Sequence, residues 1–194
     1  SSASNYSLSS ATFDVSQRPL NITTTKAYDG NTSITSGSVT LSNLVGVETL
    51  TTSGNISTNT INAGSFSTSD ITVSSLSLSD GTGIASNYTL SGGTYSATIT
   101  QKTLGLSGSK VYDSTTAANS SDLSLTGLIG SETLTLSGSG TLSTSSVGTG
   151  KTITLNTLAI SDGSGLALNY DLSGAATMDV TARPVTASGS RVYD

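Results

Sequence analysis

The chain has 194 residues, no cysteine, no histidine, 10% charged residues and a formal net charge of −5. The missing residue types exclude disulfides, thiolate metal sites, cysteine nucleophiles and the commonest general base. An acidic balance with no basic cluster argues against nucleic-acid binding. Forty serines and 34 threonines supply about 38% of the chain, yet Thr, Val, Ile and Leu alternate with small polar residues. Strands with one dry face are written this way, whereas disordered polar tracts lack such register.

In chain order, the alternation predicts strands over 20–27, 38–44, 48–56, 70–78, 86–91 and 94–100. A second series follows over 103–111, 122–128, 132–142, 151–160, 168–173 and 175–181. No window carries a helical apolar stripe; a short helical turn near 43–47 or 127–131 is allowed but not required. Ile71 and Val73 share one face, while Leu76 and Leu78 are out of phase with them. Ile153 and Leu155 are likewise followed out of phase by Leu158 and Ile160. A period of two cannot bury all four residues on one side without an extra residue, so a β-bulge or bend is predicted at Ser74–Ser75 and Asn156–Thr157.

The two series are copies. Lys26-Ala27-Tyr28-Asp29-Gly30 recurs as Lys110-Val111-Tyr112-Asp113-Ser114 and as Arg191-Val192-Tyr193-Asp194, at spacings of 84 and 81. Asn5-Tyr6, Asn87-Tyr88 and Asn169-Tyr170 are spaced by 82 and 82. Gly46-Val47-Glu48-Thr49-Leu50 matches Gly130-Ser131-Glu132-Thr133-Leu134, and Ser79-Asp80-Gly81-Thr82-Gly83 matches Ser161-Asp162-Gly163-Ser164-Gly165. The reading is all-β, in tandem β-sheet modules of about 82 residues arranged end to end. Residues 1–17 read as C-terminal strands of a preceding repeat, 18–101 and 102–182 as full repeats, and 183–194 as the first strand of a following one. No Gly/Ser/Pro linker separates the copies, which predicts limited relative motion. A β-grasp-like sheet and an immunoglobulin-like sandwich both accommodate the pattern.

The repeated residues read as structural first. In Tyr28-Asp29-Gly30 and Tyr112-Asp113-Ser114 the ring packs while its neighbours turn the chain. Asn87, Tyr88, Asn169 and Tyr170 join them as structural motif residues. Asp80 and Asp162 sit in Asp-Gly-x-Gly loops that could offer oxygens to calcium, but each loop holds a single carboxylate where calcium takes six to eight oxygens. No catalytic residue, metal site or cofactor is expected. Ser107-Gly108-Ser109-Lys110 has the spacing of an S-x-x-K motif, but Arg191 at the equivalent lysine position cannot act as base. Gly148-Thr149-Gly150-Lys151-Thr152 lacks the first glycine and the following helix of a phosphate loop. Lys26, Glu48 and Asn87, with Lys110, Glu132 and Asn169, carry the residue types of a Lys–Asn isopeptide cross-link, against which Arg191 again stands.

Lys110-Val111-Tyr112-Asp113-Ser114-Thr115-Thr116-Ala117-Ala118, Gly130 to Gly138, Val147 to Ile153 and Asn169-Tyr170 together resemble the YDG domain, a relative of the mostly β-grasp repeats. Ser114 departs from the glycine that names the family, and the first copy has no counterpart of Gly148 to Lys151. The resemblance implies tandem arrays in large Gram-negative exported adhesins of filamentous-haemagglutinin type, moved by two-partner secretion. The expectation is therefore an extracellular, non-enzymatic stalk or spacer. Its partners would be neighbouring repeats, with no nucleic acid and no membrane insertion by this stretch, and a host or biofilm ligand would be bound elsewhere. The competing expectation is a carbohydrate- or protein-binding module acting by avidity.

Overall fold

The computed structural model describes Ser10 and residues 12–193. Asn5-Tyr6, Asp194 and most of the stretch assigned to a preceding repeat lie outside the described residues. Residues 12–17 and 183–193 carry no strand. A strand exists only by pairing, and neither segment has a ladder partner among the described residues.

The first copy forms β1 (Arg18–Pro19), β2 (Asn21–Ala27), β3 (Ser33–Thr35), β4 (Val39–Ser42), β5 (Leu50–Thr58), β6 (Gly64–Phe66), β7 (Ile71–Thr72), β8 (Leu76–Asp80), β9 (Tyr88–Thr89) and β10 (Tyr95–Thr100). The second forms β11 (Lys102–Thr103), β12 (Gly105–Val111), β13 (Ala117–Asn119), β14 (Leu123–Thr126), β15 (Leu134–Ser137), β16 (Ser139–Leu142), β17 (Gly148–Thr154), β18 (Ala159–Asp162), β19 (Tyr170–Asp171) and β20 (Thr177–Thr181). The fold is all-β, as the alternation requires. Four short strands, β1, β3, β6 and β13, fall where the sequence reading has no strand, because two or three residues hold too little alternation to register. The stretch 132–142 divides at Gly138, and 43–47 and 127–131 form tight turns instead of helical ones. Glu48 N donates to Val45 O at 3.0 Å, and Glu132 N to Ile129 O at 3.0 Å.

The chain divides into two compact units whose limits interleave with the copies. Among the described residues, one holds the chain up to Lys26, Thr32–Asn59 and Ser65–Thr98; the other holds Ala27–Asn31, Thr60–Gly64 and everything from Ile99. In the first unit, β2 lies between β4 and β10, β5 pairs with β3, β7 and β8, and β1 runs parallel to β9. Its core is Ile22, Ile34, Ile56, Ile71, Leu76, Tyr95 and Ala97. In the second unit, a six-stranded sheet runs β13-β16-β17-β20-β12-β14, with β12 and β20 parallel near its middle. Its core is Leu106, Ala118, Leu123, Leu142, Ile153, Leu158, Met178 and Val180.

The phase break predicted from the apolar pattern is a turn with one extra residue. Between the pairs Gly54↔Leu76 and Ser57↔Thr72, β5 advances three residues and its partner four. Leu76 N closes onto Val73 O at 2.9 Å, and Leu158 N onto Leu155 O at 2.8 Å. The result is that Ile71 and Leu76 are both buried, as are Ile153 and Leu158. The opposing strand accommodates the bulge through Gly54 and Gly138, at φ +87° and +85°. A Cβ on Gly138 would stand 2.1 Å from Thr157 O. Gly138→Ala is therefore expected to destabilise the second unit by about 2–3 kcal/mol, whereas Gly37→Ala, in open space, should be near neutral. Urea denaturation of the two variants checks the contrast.

Candidate functional site

The recurring sequence markers meet in space. In the second unit, Gly130 turns the chain at φ +54° and delivers Glu132 to a loop formed by Asp162 to Gly165. That loop clamps the next residue. Thr133 N donates to Ser164 Oγ at 2.8 Å, and Gly165 N donates to Thr133 O at 3.1 Å. A Cβ at Gly165 would lie 2.5 Å from Glu132 Oε2, so the second glycine of Asp-Gly-x-Gly makes room for the carboxylate. Asp162 Oδ1 accepts from Ala167 N at 2.7 Å and so tightens the 3-10 turn Ala167–Asn169 that presents Asn169 and Tyr170.

Two tyrosines converge on Glu132. Tyr170 OH donates to Oε2 and Tyr28 OH to Oε1, both at 2.6 Å, while Ile129 N donates to the Tyr170 hydroxyl at 3.0 Å. The two rings meet edge to face, with centroids 5.4 Å apart. Asn169, 1% exposed, accepts from Ala63 N at 2.8 Å and donates to Asn62 Oδ1 at 3.1 Å. Tyr28, Asn62 and Ala63 come from the first sequence copy yet belong to the second compact unit. Tyr28 is 2% exposed, and its backbone N donates to Thr100 O at 2.8 Å. Asp29 turns the chain after it by accepting from Asn31 N at 2.9 Å, and Gly30 follows at φ +77°.

The first unit repeats this frame with different occupancy. Asp80 Oδ1 accepts from Ala85 N at 2.7 Å, Gly83 N donates to Thr49 O at 3.1 Å, Tyr88 OH donates to Glu48 Oε2, and Val45 N donates to Tyr88 OH at 3.0 Å. Asn87, however, is exposed where Asn169 is buried. Tyr112, the counterpart of Tyr28, makes the same backbone bond, from its N to Thr181 O at 2.8 Å, but its ring is 38% exposed. Asp113 is held down to about 2, first by the Thr115 backbone N–H and then by Lys110, whose Nζ lies 2.9 Å away.

The calcium loops and the cross-link triad read differently in space. Asp80 and Asp162 bind backbone N–H groups, and no cluster of three acidic or other metal-ligating side chains occurs among the described residues. Lys110 Nζ donates to Thr115 O and Ala117 O, while Asn169 engages Asn62 and Ala63 and Glu132 the two tyrosines. The three side chains thus serve separate contacts. Gly148 to Lys151 belong to strand β17 and not to a phosphate loop.

Burial first, and then the bond to Glu132, push the Tyr28 phenol up to about 12; Tyr170 is raised for the same reasons. In the folded protein Tyr28 keeps a proton that the unfolded chain loses near pH 10. Its contribution to stability is complete below that pH and is lost as pH climbs from about 10 to about 12. The expected loss is on the order of 2 kcal/mol. Urea midpoints between pH 8 and 12 should fall over that window, and Tyr28→Phe should flatten the fall.

The YDG domain family matches residues 16–98 and 95–178, two successive matches that share residues 95–98 and together span both frames. The chain belongs to the YDG domain family. No curated protein and no solved structure matches it. In this YDG pair the naming tyrosine is an anchor: Tyr28 and Glu132, which recur at fixed places in the sequence, form one hydrogen bond across 104 positions.

Proposed function

We propose that these YDG repeats are a structural spacer in a secreted bacterial surface adhesin of the filamentous-haemagglutinin type, exported by two-partner secretion and projecting a distal binding region. The observation that carries this reading is the use made of the recurring residues. Tyr28, Glu132, Asn169 and Tyr170 are consumed by packing and hydrogen bonding to one another and to the backbone. Residues kept for a ligand would present their polar atoms to solvent; these satisfy them internally. The surface is dominated by serine and threonine, whose hydroxyls solvate exposed strands without charge. On this reading the chain is extracellular and non-enzymatic, holds no cofactor, and makes its principal contacts with further repeats.

Removing one whole repeat from the parent protein on its own cell surface tests the role. Ligand affinity should be unchanged while the reach of the distal region shortens; loss of affinity would contradict the spacer reading. The binding-module alternative draws on one feature, the exposed Tyr112 ring beside Val111. It predicts saturable binding of the isolated chain to immobilised glycans, lost in Tyr112→Ala.

A further inference from the structure

The first unit carries a pocket of about 510 Å³ lined by Val15, Arg18, Val45, Glu48, Asn87 and Tyr88, among others. Each of these residues has a counterpart around Tyr28: Ile99, Lys102, Ile129, Glu132, Asn169 and Tyr170. The two surroundings differ in the direction an absent tyrosine would cause. Val15 is 84% exposed where Ile99 is 1% exposed, and Val45 is 51% exposed where Ile129 is half-buried. Glu132 takes two phenol hydroxyls, one on each oxygen, while among the described residues Glu48 takes one, on Oε2.

The complementary surface is on the second copy. Tyr112 and Val147 occupy the places of Tyr28 and Ala63, and both are exposed, Val147 at 54%. Where Tyr28 N bonds Thr100 O, Tyr112 N bonds Thr181 O, so the ring is already held at the same station on the strand edge.

We infer that the Glu48–Asn87–Tyr88 pocket is a socket for the Tyr112-bearing edge of a second copy of this chain joined in tandem. In the joint, Tyr112 OH donates to Glu48 Oε1, its ring packs edge to face on Tyr88, and Asn87 Oδ1 accepts the backbone N–H of Val147. Each contact has its occupied counterpart at Glu132, Tyr170 and Asn169. The inference extends the spacer reading but does not depend on it, because it concerns how repeats join and not where they work.

The test is a tandem protein in which residues 1–182 are followed directly by 18–194. The seam keeps the native Ala-Arg-Pro junction, because Arg18-Pro19 takes the place of Arg183-Pro184 after Ala182. Exposed tyrosines are nitrated with tetranitromethane and the tryptic peptide Val111–Lys151, whose one tyrosine is Tyr112, is quantified. In the single chain this peptide should nitrate fully. In the tandem protein half of it should be protected, and Glu48→Ala in the second half alone should restore full nitration with an unchanged far-ultraviolet circular dichroism spectrum. Full nitration in the unmodified tandem protein would overturn the inference. So would protection that survives both Glu48→Ala and Tyr88→Ala in the second half.

Discussion

Tyr28→Ala is expected to destabilise the second unit by about 3–5 kcal/mol, the range for truncating a large buried aromatic. Three losses combine: a ring buried to 2% exposure, its edge-to-face contact with Tyr170, and the hydrogen bond that satisfies one oxygen of Glu132. Tyr28→Phe keeps the ring and should cost about 1–3 kcal/mol, the penalty for removing a donor from a charged acceptor. Tyr112→Ala removes the same residue type from an exposed position and should stay within about 0.5 kcal/mol. Amide hydrogen exchange at Leu106, Met178 and Val180, in the core of the second unit, reads the effect where it belongs. Equal losses from Tyr28→Ala and Tyr112→Ala would mean that the motif acts only within its own turn.

The second large effect is expected at Glu132. Its carboxylate is the common acceptor for Tyr28 and Tyr170, and Gly165 packs so closely against it that a Cβ there would lie 2.5 Å from Oε2. Glu132→Ala removes two charge-assisted bonds and leaves two hydroxyls without their acceptor, for an expected loss of about 3–5 kcal/mol. Glu132→Gln retains the shape and one acceptor oxygen and should fall at roughly half that. Because Tyr28 and Glu132 share a bond, their losses should not add. The double variant Tyr28→Phe/Glu132→Ala is expected to show a coupling of about 1–3 kcal/mol in urea denaturation. Full additivity would deny the bond.

Much of the architecture is legible in the residue pattern, and the limits are physical. Alternation marks the longer strands because burial of one face imposes a period of two, and the shift from Ile71 and Val73 to Leu76 and Leu78 exposes the bulge because that period cannot otherwise hold. β3 escapes notice because Ser33-Ile34-Thr35 has one apolar residue and no period. Recurrence singles out Tyr28, Glu132, Asn169 and Tyr170 as constrained without saying by what. The recurring Lys110, Glu132 and Asn169 have the residue types of a Lys–Asn cross-link, and nothing in the recurrence points to the Tyr–Glu–Tyr node that the fold assembles. Least legible is the contact of Asn169 with Ala63. It is made through a backbone N–H, so the position varies freely and is Val147 in the next copy. Nor does any periodicity reveal that Tyr28 completes a unit assembled mainly from the following copy; that requires knowing which glutamate its hydroxyl reaches.

That assignment is tested most directly by nuclear magnetic resonance with ring-labelled tyrosine. Nuclear Overhauser cross-peaks are expected between the Tyr28 and Tyr170 rings, whose centroids lie 5.4 Å apart, and should disappear in Tyr28→Leu. A Tyr28 ring that shows contacts only to its own turn and exchanges freely with solvent, as Tyr112 is expected to do, would contradict it.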